Sequence, residues 1–132
     1  MLVVDDSAVI RARLVQLLRE GCGAGCVLEA DSADNALEVF EREAVDVVVL
    51  DLHMPGTNGM KIIAELKRGA SPPLVVVLTN HPSEHLRRQC ISQGADLFLD
   101  KSKDFDELIA VVRDPESSRA SVSKVARSTV LT

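Results

Sequence analysis

Four short apolar runs in this 132-residue chain each end by delivering polar or charged side chains to a turn. LVVDDS (2–7) delivers Asp5 and Asp6, and VVVLDLHMPGTNG (47–59) delivers Asp51 shortly before a Pro and a Gly break the chain. LVVVLTNH (74–81) delivers Thr79, then Asn80 and His81, and LFLDK (97–101) delivers Asp100 and Lys101. Placed side by side, these ends gather the carboxylates of Asp5, Asp6 and Asp51, the hydroxyl of Thr79 and the ammonium of Lys101 in one pocket. Such a pocket is costly, because two unit charges about 4 Å apart interact by roughly 4 kcal/mol at an effective dielectric of about 20. Lys101 offsets part of the repulsion, and a hard divalent cation would offset more. Mg²⁺ takes one or two carboxylates, keeps several waters and completes its shell with phosphate oxygens. The combination points to phosphoryl chemistry, with an Asp carboxylate as nucleophile forming an aspartyl phosphate. The metal, Lys101 and Thr79 would then stabilise charge on the transferred group. Taken singly, each residue has a plainer role: a turn aspartate, a helix cap at Asp6 or Ser7, a solvated lysine. The conjunction across four strand ends carries the inference.

The elements that must position these residues alternate along the chain. The runs MLVV (1–4), CVLEA (26–30), VVVL (47–50), LVVVL (74–78) and LFL (97–99) are nearly continuous in apolar residues, which predicts strands buried on both faces. Amphipathic stretches lie between them. In the first, Ile10, Leu14, Leu17 and Leu18 share a helical face; in the second, Ala33, Ala36, Leu37 and Phe40 recur at helical spacing, with the helix starting at Ser32. GMKIIAELKR (59–68), SEHLRRQCIS (83–92) and DFDELIAVVR (104–113) follow the later strands. The fourth helix has only a thin stripe of Leu86, Cys90 and Ile91, and Asp104 and Glu107 have capping-box spacing. Strand–helix alternation of this kind predicts an α/β fold with a parallel sheet and helices on both faces. Ligands of such sheets sit outside the carboxyl ends of the strands, where the strand order reverses. Asp31 follows the second strand but leads straight into a helix, and is discounted.

Composition limits the alternatives. At this length one domain with a real core is expected. A net charge of −5 and the absence of aromatics interleaved with basic residues argue against a nucleic-acid surface. No apolar run approaches a membrane span, and the start lacks a signal-peptide pattern. The odd count of three Cys (22, 26 and 90) fits reduced thiols in the cytoplasm, and no second ligand pair gives Cys22 and Cys26 a zinc site. Residues 114–132 are Ser-rich and read as a tail or linker remnant beyond a domain of residues 1–113.

Residues 1 to about 113 resemble the receiver domain of two-component response regulators. The resemblance is carried by VVDDS, DLHMPGTNG, LTN and FLDK in that order with strands between, and by Pro55 and Gly59, four and eight residues past Asp51. It implies a flavodoxin-like, doubly wound, five-stranded sheet of order 2-1-3-4-5. It implies Asp51 as phospho-acceptor, Asp6 as direct Mg²⁺ ligand with Asp5 assisting, and the His53 carbonyl completing the protein's share of the metal shell. Thr79 and Lys101 would bond the phosphoryl group, and Phe98 would follow Thr79 and repack the face of the fourth helix, fifth strand and fifth helix. The implied partners are a sensor histidine kinase or phosphotransfer protein and an unknown downstream protein. Dimerisation through the fourth-helix face is a habit of the family. Ser102 stands where the family usually has Pro, and Asn80 where small residues are common.

Three functions are thus in play. The first is a cytoplasmic signalling domain that is not an enzyme beyond catalysing its own phosphorylation and dephosphorylation. The second is a degenerate receiver that binds protein without phosphate. The third is an aspartate-nucleophile phosphohydrolase, disfavoured because His53 stands where a second Asp is wanted and no cap-domain insertion is present.

Overall fold

The computed structural model describes residues 1–22, 27–51, 59–80, 82–101 and 103–113. Five strands alternate with five helices: β1 (Leu2–Val4), α1 (Ala8–Cys22), β2 (Leu28–Ala30), α2 (Ala33–Arg42), β3 (Val47–Asp51), α3 (Gly59–Leu66), β4 (Leu74–Thr79), α4 (Glu84–Gln93), β5 (Leu97–Asp100) and α5 (Phe105–Arg113). The strands form one parallel sheet in the order β2-β1-β3-β4-β5, so the expected doubly wound topology is the observed one. Ser102, His53, His81 and residues 114–132 lie outside the described residues.

Side chains along a strand alternate between faces, and the core divides accordingly. Val3, Val47, Val49, Val76, Leu78 and Leu99 pack with Leu14, Val15 and Leu18 of α1 and Leu108 and Val111 of α5. Leu2, Val4, Val48, Leu50, Val75 and Val77 face the other way, against Ala36 and Val39 of α2, Ile62, Ile63 and Leu66 of α3 and Cys90 of α4. Each fully buried Leu or Ile contributes about 1.5–3 kcal/mol relative to exposure. β1, β3 and β4 are buried throughout.

Two local expectations are corrected. β2 and β5 are edge strands, with Glu29 exposed and three of the four β5 residues only half-buried, so they are not sandwiched as the central strands are. In α1 the buried stripe is Leu14, Val15 and Leu18, whereas Ile10 is 46% and Leu17 38% exposed. The reason is Arg11. It precedes Leu14, Val15 and Leu18 by three, four and seven residues, the spacing of a single helix face. Its guanidinium is satisfied there, donating to the Asp5 carbonyl at 2.6 Å and to Glu29 Oε1 at 3.2 Å. An arginine on the inward face hides the stripe from a hydrophobic reading. Ile10 and Leu17 sit roughly a quarter turn away from it.

The helix starts are held by side chains as their sequences suggest. Ser32 Oγ accepts from Asn35 N–H and caps α2, and Ser83 Oγ accepts from Leu86 N–H and caps α4. α4 ends at Gly94, whose φ of 116° is the left-handed conformation that glycine adopts without a Cβ penalty.

Candidate functional site

Strand parity explains which strand-end residues meet. Val3, Val49 and Leu99 all face α1 and α5. Two residues further along each chain come Asp5, Asp51 and Lys101, so the same rows carry on past the sheet's carboxyl edge. Lys101 Nζ lies 3.0 Å from Asp51 Oδ2 and 3.3 Å from Asp5 Oδ2. Asp5 is 1% and Asp51 7% exposed, so the ammonium partly neutralises two acids removed from water. Asp6 is exposed beside them. Carboxylate oxygens of Asp5, Asp6 and Asp51 lie within 4.8 Å of one another.

The loop between β1 and α1 is held in place from several directions. Asp5 Oδ1 accepts from Ser7 N–H at 2.9 Å, and Asp5 N–H donates to Ala30 O at 3.1 Å. Arg11 grips the Asp5 carbonyl from within α1. Ser7 takes the capping position, with Ile10 N–H donating to its hydroxyl at 3.4 Å. Arg11 is the site-supporting residue that the sequence reading passed over; its i, i+3, i+4, i+7 relation to Leu14, Val15 and Leu18 is the signal that marks it.

Thr79 is fully buried at the end of β4, and its carbonyl accepts from Lys101 N–H at 2.9 Å. Asp100 pairs with it in the β4–β5 register. Asn80 is exposed just beyond. Phe98 is half-buried against the core layer formed with α2, α3 and α4, which Leu86 and Ile91 also pack against. The structure therefore brings Asp5, Asp6, Asp51 and Lys101 into one cluster, with Thr79 next to Lys101 along the backbone and Phe98 on the opposite side of the sheet from the acids. Asp31 stays apart: Asn35 Nδ2 donates to it at 3.0 Å and holds its carboxyl below the ordinary value, as a local helix-start contact.

Asp104 departs from the expected capping box in one respect. Its Oδ2 reaches back to accept Asp100 N–H at 2.8 Å.

Comparison with known proteins gives this arrangement a family context. The family model of the response regulator receiver domain matches residues 1–113. The response regulator UvrY of Escherichia coli strain K12 is 29% identical over 119 residues, spanning 90% of this chain and 55% of UvrY. The chain spans about half the length of the curated relatives it matches. Among solved structures, the signal receiver domain of NarL from Mycobacterium tuberculosis superposes with a TM-score of 0.76 at 31% identity, covering 86% of this chain and 91% of that one. A response regulator from Burkholderia pseudomallei, whose crystal structure holds a phosphorylated aspartic acid, a calcium ion and citrate, superposes with a TM-score of 0.78 at 26% identity, covering 98% and 72%.

Proposed function

This chain belongs to the response regulator receiver domain family of two-component systems, and from that premise we propose that it accepts a phosphoryl group on Asp51 in a Mg²⁺-dependent reaction and thereby switches a protein-binding surface. The observation that carries the reading is the cluster itself: Asp51 at the mouth of β3, two further carboxylates beside it and Lys101 3.0 Å away. The phosphorylated aspartate of the similar Burkholderia protein supports it.

The donor set suits a hard cation, because it consists of carboxylate oxygens from two buried residues and one exposed to water. Asp6 and Asp51 would hold Mg²⁺, with the His53 carbonyl, which lies outside the described residues, completing the protein's share. Both oxygens of Asp5 already carry partners, Ser7 N–H and Lys101, which suits an assisting role. When bound, the ion supplies charge neutralisation on the phosphoryl oxygens.

The residues of the chain do the rest. An Asp51 oxygen attacks the phosphorus of a phosphohistidine donor. The O–P bond forms, the P–N bond breaks, and its electron pair stays on the leaving imidazole nitrogen. Lys101 exchanges carboxylate oxygens for phosphoryl oxygens as charge builds, and the Thr79 hydroxyl donates to another. Hydrolysis reverses the modification: a water oxygen attacks phosphorus, the bond from Asp51 to phosphorus breaks, and the carboxylate and inorganic phosphate part. The chain is a signalling domain whose chemistry acts on itself.

A protein donor needs a surface beside the acids. Val9, 81% exposed, with Ile10 and Leu17, lines the outer side of α1 and starts three residues past Asp6. This apolar strip suits a helix of the histidine kinase or phosphotransfer protein. The output surface would be the α4–β5–α5 side, reached through Thr79 and Phe98, either by a downstream protein or by a second copy in a homodimer. The cytoplasm is the compartment in which such a donor would meet it.

The test is intact mass after incubation with acetyl phosphate, with and without Mg²⁺, for wild type and Asp51→Asn. One phosphoryl adduct that requires both Mg²⁺ and Asp51 is expected. An adduct of equal stoichiometry in Asp51→Asn overturns the assignment. No adduct in the wild type, from acetyl phosphate or a cognate kinase, would favour the phosphate-independent binding module.

A further inference from the structure

The loop that carries Lys101 reads Asp100-Lys101-Ser102-Lys103-Asp104, with no proline to fix its backbone. Yet Lys101 is held within 3.0 Å of Asp51 and 3.3 Å of Asp5 from the end of an edge strand. Successive N–H groups of a strand point to alternate sides. Lys101 N–H points at β4, where Thr79 O accepts it at 2.9 Å. The N–H of Asp100 therefore points to the outer edge of β5, where, among the described residues, no further strand pairs. The Asp104 carboxylate takes that place, accepting Asp100 N–H at 2.8 Å. In the opposite direction Asp104 N–H donates to Asp100 O at 2.9 Å, and Lys103 N–H donates to the same oxygen at 3.3 Å. Asp104 is anchored in turn by α5, since Leu108 N–H donates to its carbonyl at 3.1 Å. Two opposed bonds thus tie Asp104 to Asp100, the residue immediately before Lys101.

Resting on the phosphoryl-acceptor reading, we infer that Asp104 is the positioning residue for Lys101: its carboxylate closes the β5–α5 loop so that the ammonium stays over Asp51 and Asp5. A side-chain staple supplies the stiffness that a proline would otherwise give. The ordering entropy of the loop is met before the phosphoryl group arrives, rather than on arrival.

Two readouts separate this role from general stability. The first is competitive amine labelling of the native chain with acetic anhydride, read by peptide mass, for wild type, Asp104→Ala and Asp104→Asn. Lys67, ion-paired with Asp96 at the amino end of the strands, away from the acids, is the internal reference. The second is the initial rate of the Asp51-dependent adduct from acetyl phosphate. In Asp104→Ala, labelling of Lys101 relative to Lys67 should rise about fivefold, the factor for losing one ordinary hydrogen bond, and the adduct rate should fall comparably. Asp104→Asn keeps an acceptor oxygen and should retain both values. Unchanged Lys101 labelling in Asp104→Ala overturns the inference. So does an equal rise at Lys67, because Asp104 would then support the whole fold. A wild type with no Asp51-dependent adduct but the same labelling contrast would overturn the phosphoryl reading and leave the staple standing.

Discussion

Thr79 and Phe98 share one face of the sheet, diagonally across the β4–β5 pair. Thr79 pairs with Asp100 and Phe98 with Val77, and the alternation along both strands puts all four on the same side. That side packs against α4 through Leu86, Cys90 and Ile91. A shift of the Thr79 side chain therefore has a short route to Phe98 and to α4, while Lys101 lies on the other face.

The first prediction tests that route. Adding Mg²⁺ and beryllofluoride to the wild type should move the Phe98 ring resonances in NMR spectra. In Thr79→Val, which removes the hydroxyl and keeps the shape, the ring should stay as in the untreated protein even where the mimic binds. Equal shifts in both proteins would disconnect Thr79 from Phe98.

The outer strip of α1 gives a second expectation. Ile10→Asp changes a half-exposed side chain, so stability should move by no more than about 0.5 kcal/mol. Phosphotransfer from a cognate kinase should slow by about tenfold or more, as expected for losing an apolar contact at the centre of an interface. The rate with acetyl phosphate should stay unchanged, since that donor needs no docking surface. Equal slowing with both donors would place the effect at the acids rather than at docking.

Stability at the other end of the sheet depends on Asp96. Its Oδ2 accepts from Lys67 Nζ at 2.6 Å and from Val75 N–H at 2.8 Å, and Lys67 also donates to Pro73 O at 2.8 Å. Asp96→Ala strands a partly buried ammonium and a strand N–H together. It should cost about 2–3 kcal/mol in urea denaturation. A loss below roughly 0.5 kcal/mol, the ordinary range for a surface change, would show that solvent replaces these bonds.

Cys90 sets an alkaline limit. Its side chain is fully buried, and burial pushes the thiol up to about 11 from 9.0. The folded state therefore keeps its proton where the unfolded chain has lost it. The resulting stability is fully present below pH 9 and is lost as pH rises toward 11, by on the order of 2 kcal/mol. Urea midpoints measured from pH 8 to 11 should fall more steeply for the wild type than for Cys90→Ala. At neutral pH the thiol should react with iodoacetamide only after unfolding. Rapid alkylation of Cys90 in the native protein would contradict its burial.

Much of this molecule was legible from residue order. Apolar runs of strand length, separated by amphipathic stretches, leave an α/β parallel sheet as the economical way to bury both. The residues after each run then have to lie along one edge, which is why Asp5, Asp6, Asp51, Thr79 and Lys101 were candidates from the outset. Local caps such as Ser32 needed no tertiary information, because a cap is decided within a few residues.

Tertiary structure decided what depends on which face of an element turns inward and on partners distant in sequence. The inward stripe of α1 was concealed because Arg11 occupies it, and the carbonyl of Asp5 and the carboxylate of Glu29 make that position acceptable to a guanidinium. β2 and β5 have sequences like the central strands, but their place at the sheet's edges leaves them half-covered. Asp104 has the spacing of a helix cap, yet its carboxylate turns to the outer edge of β5 and accepts Asp100 N–H. The pairing of Lys101 with Asp51 and Asp5, separated by 50 and 96 residues, follows from strand order and parity acting together. Residue type and spacing named the groups available for chemistry; the handedness and register of the sheet determined which of them touch.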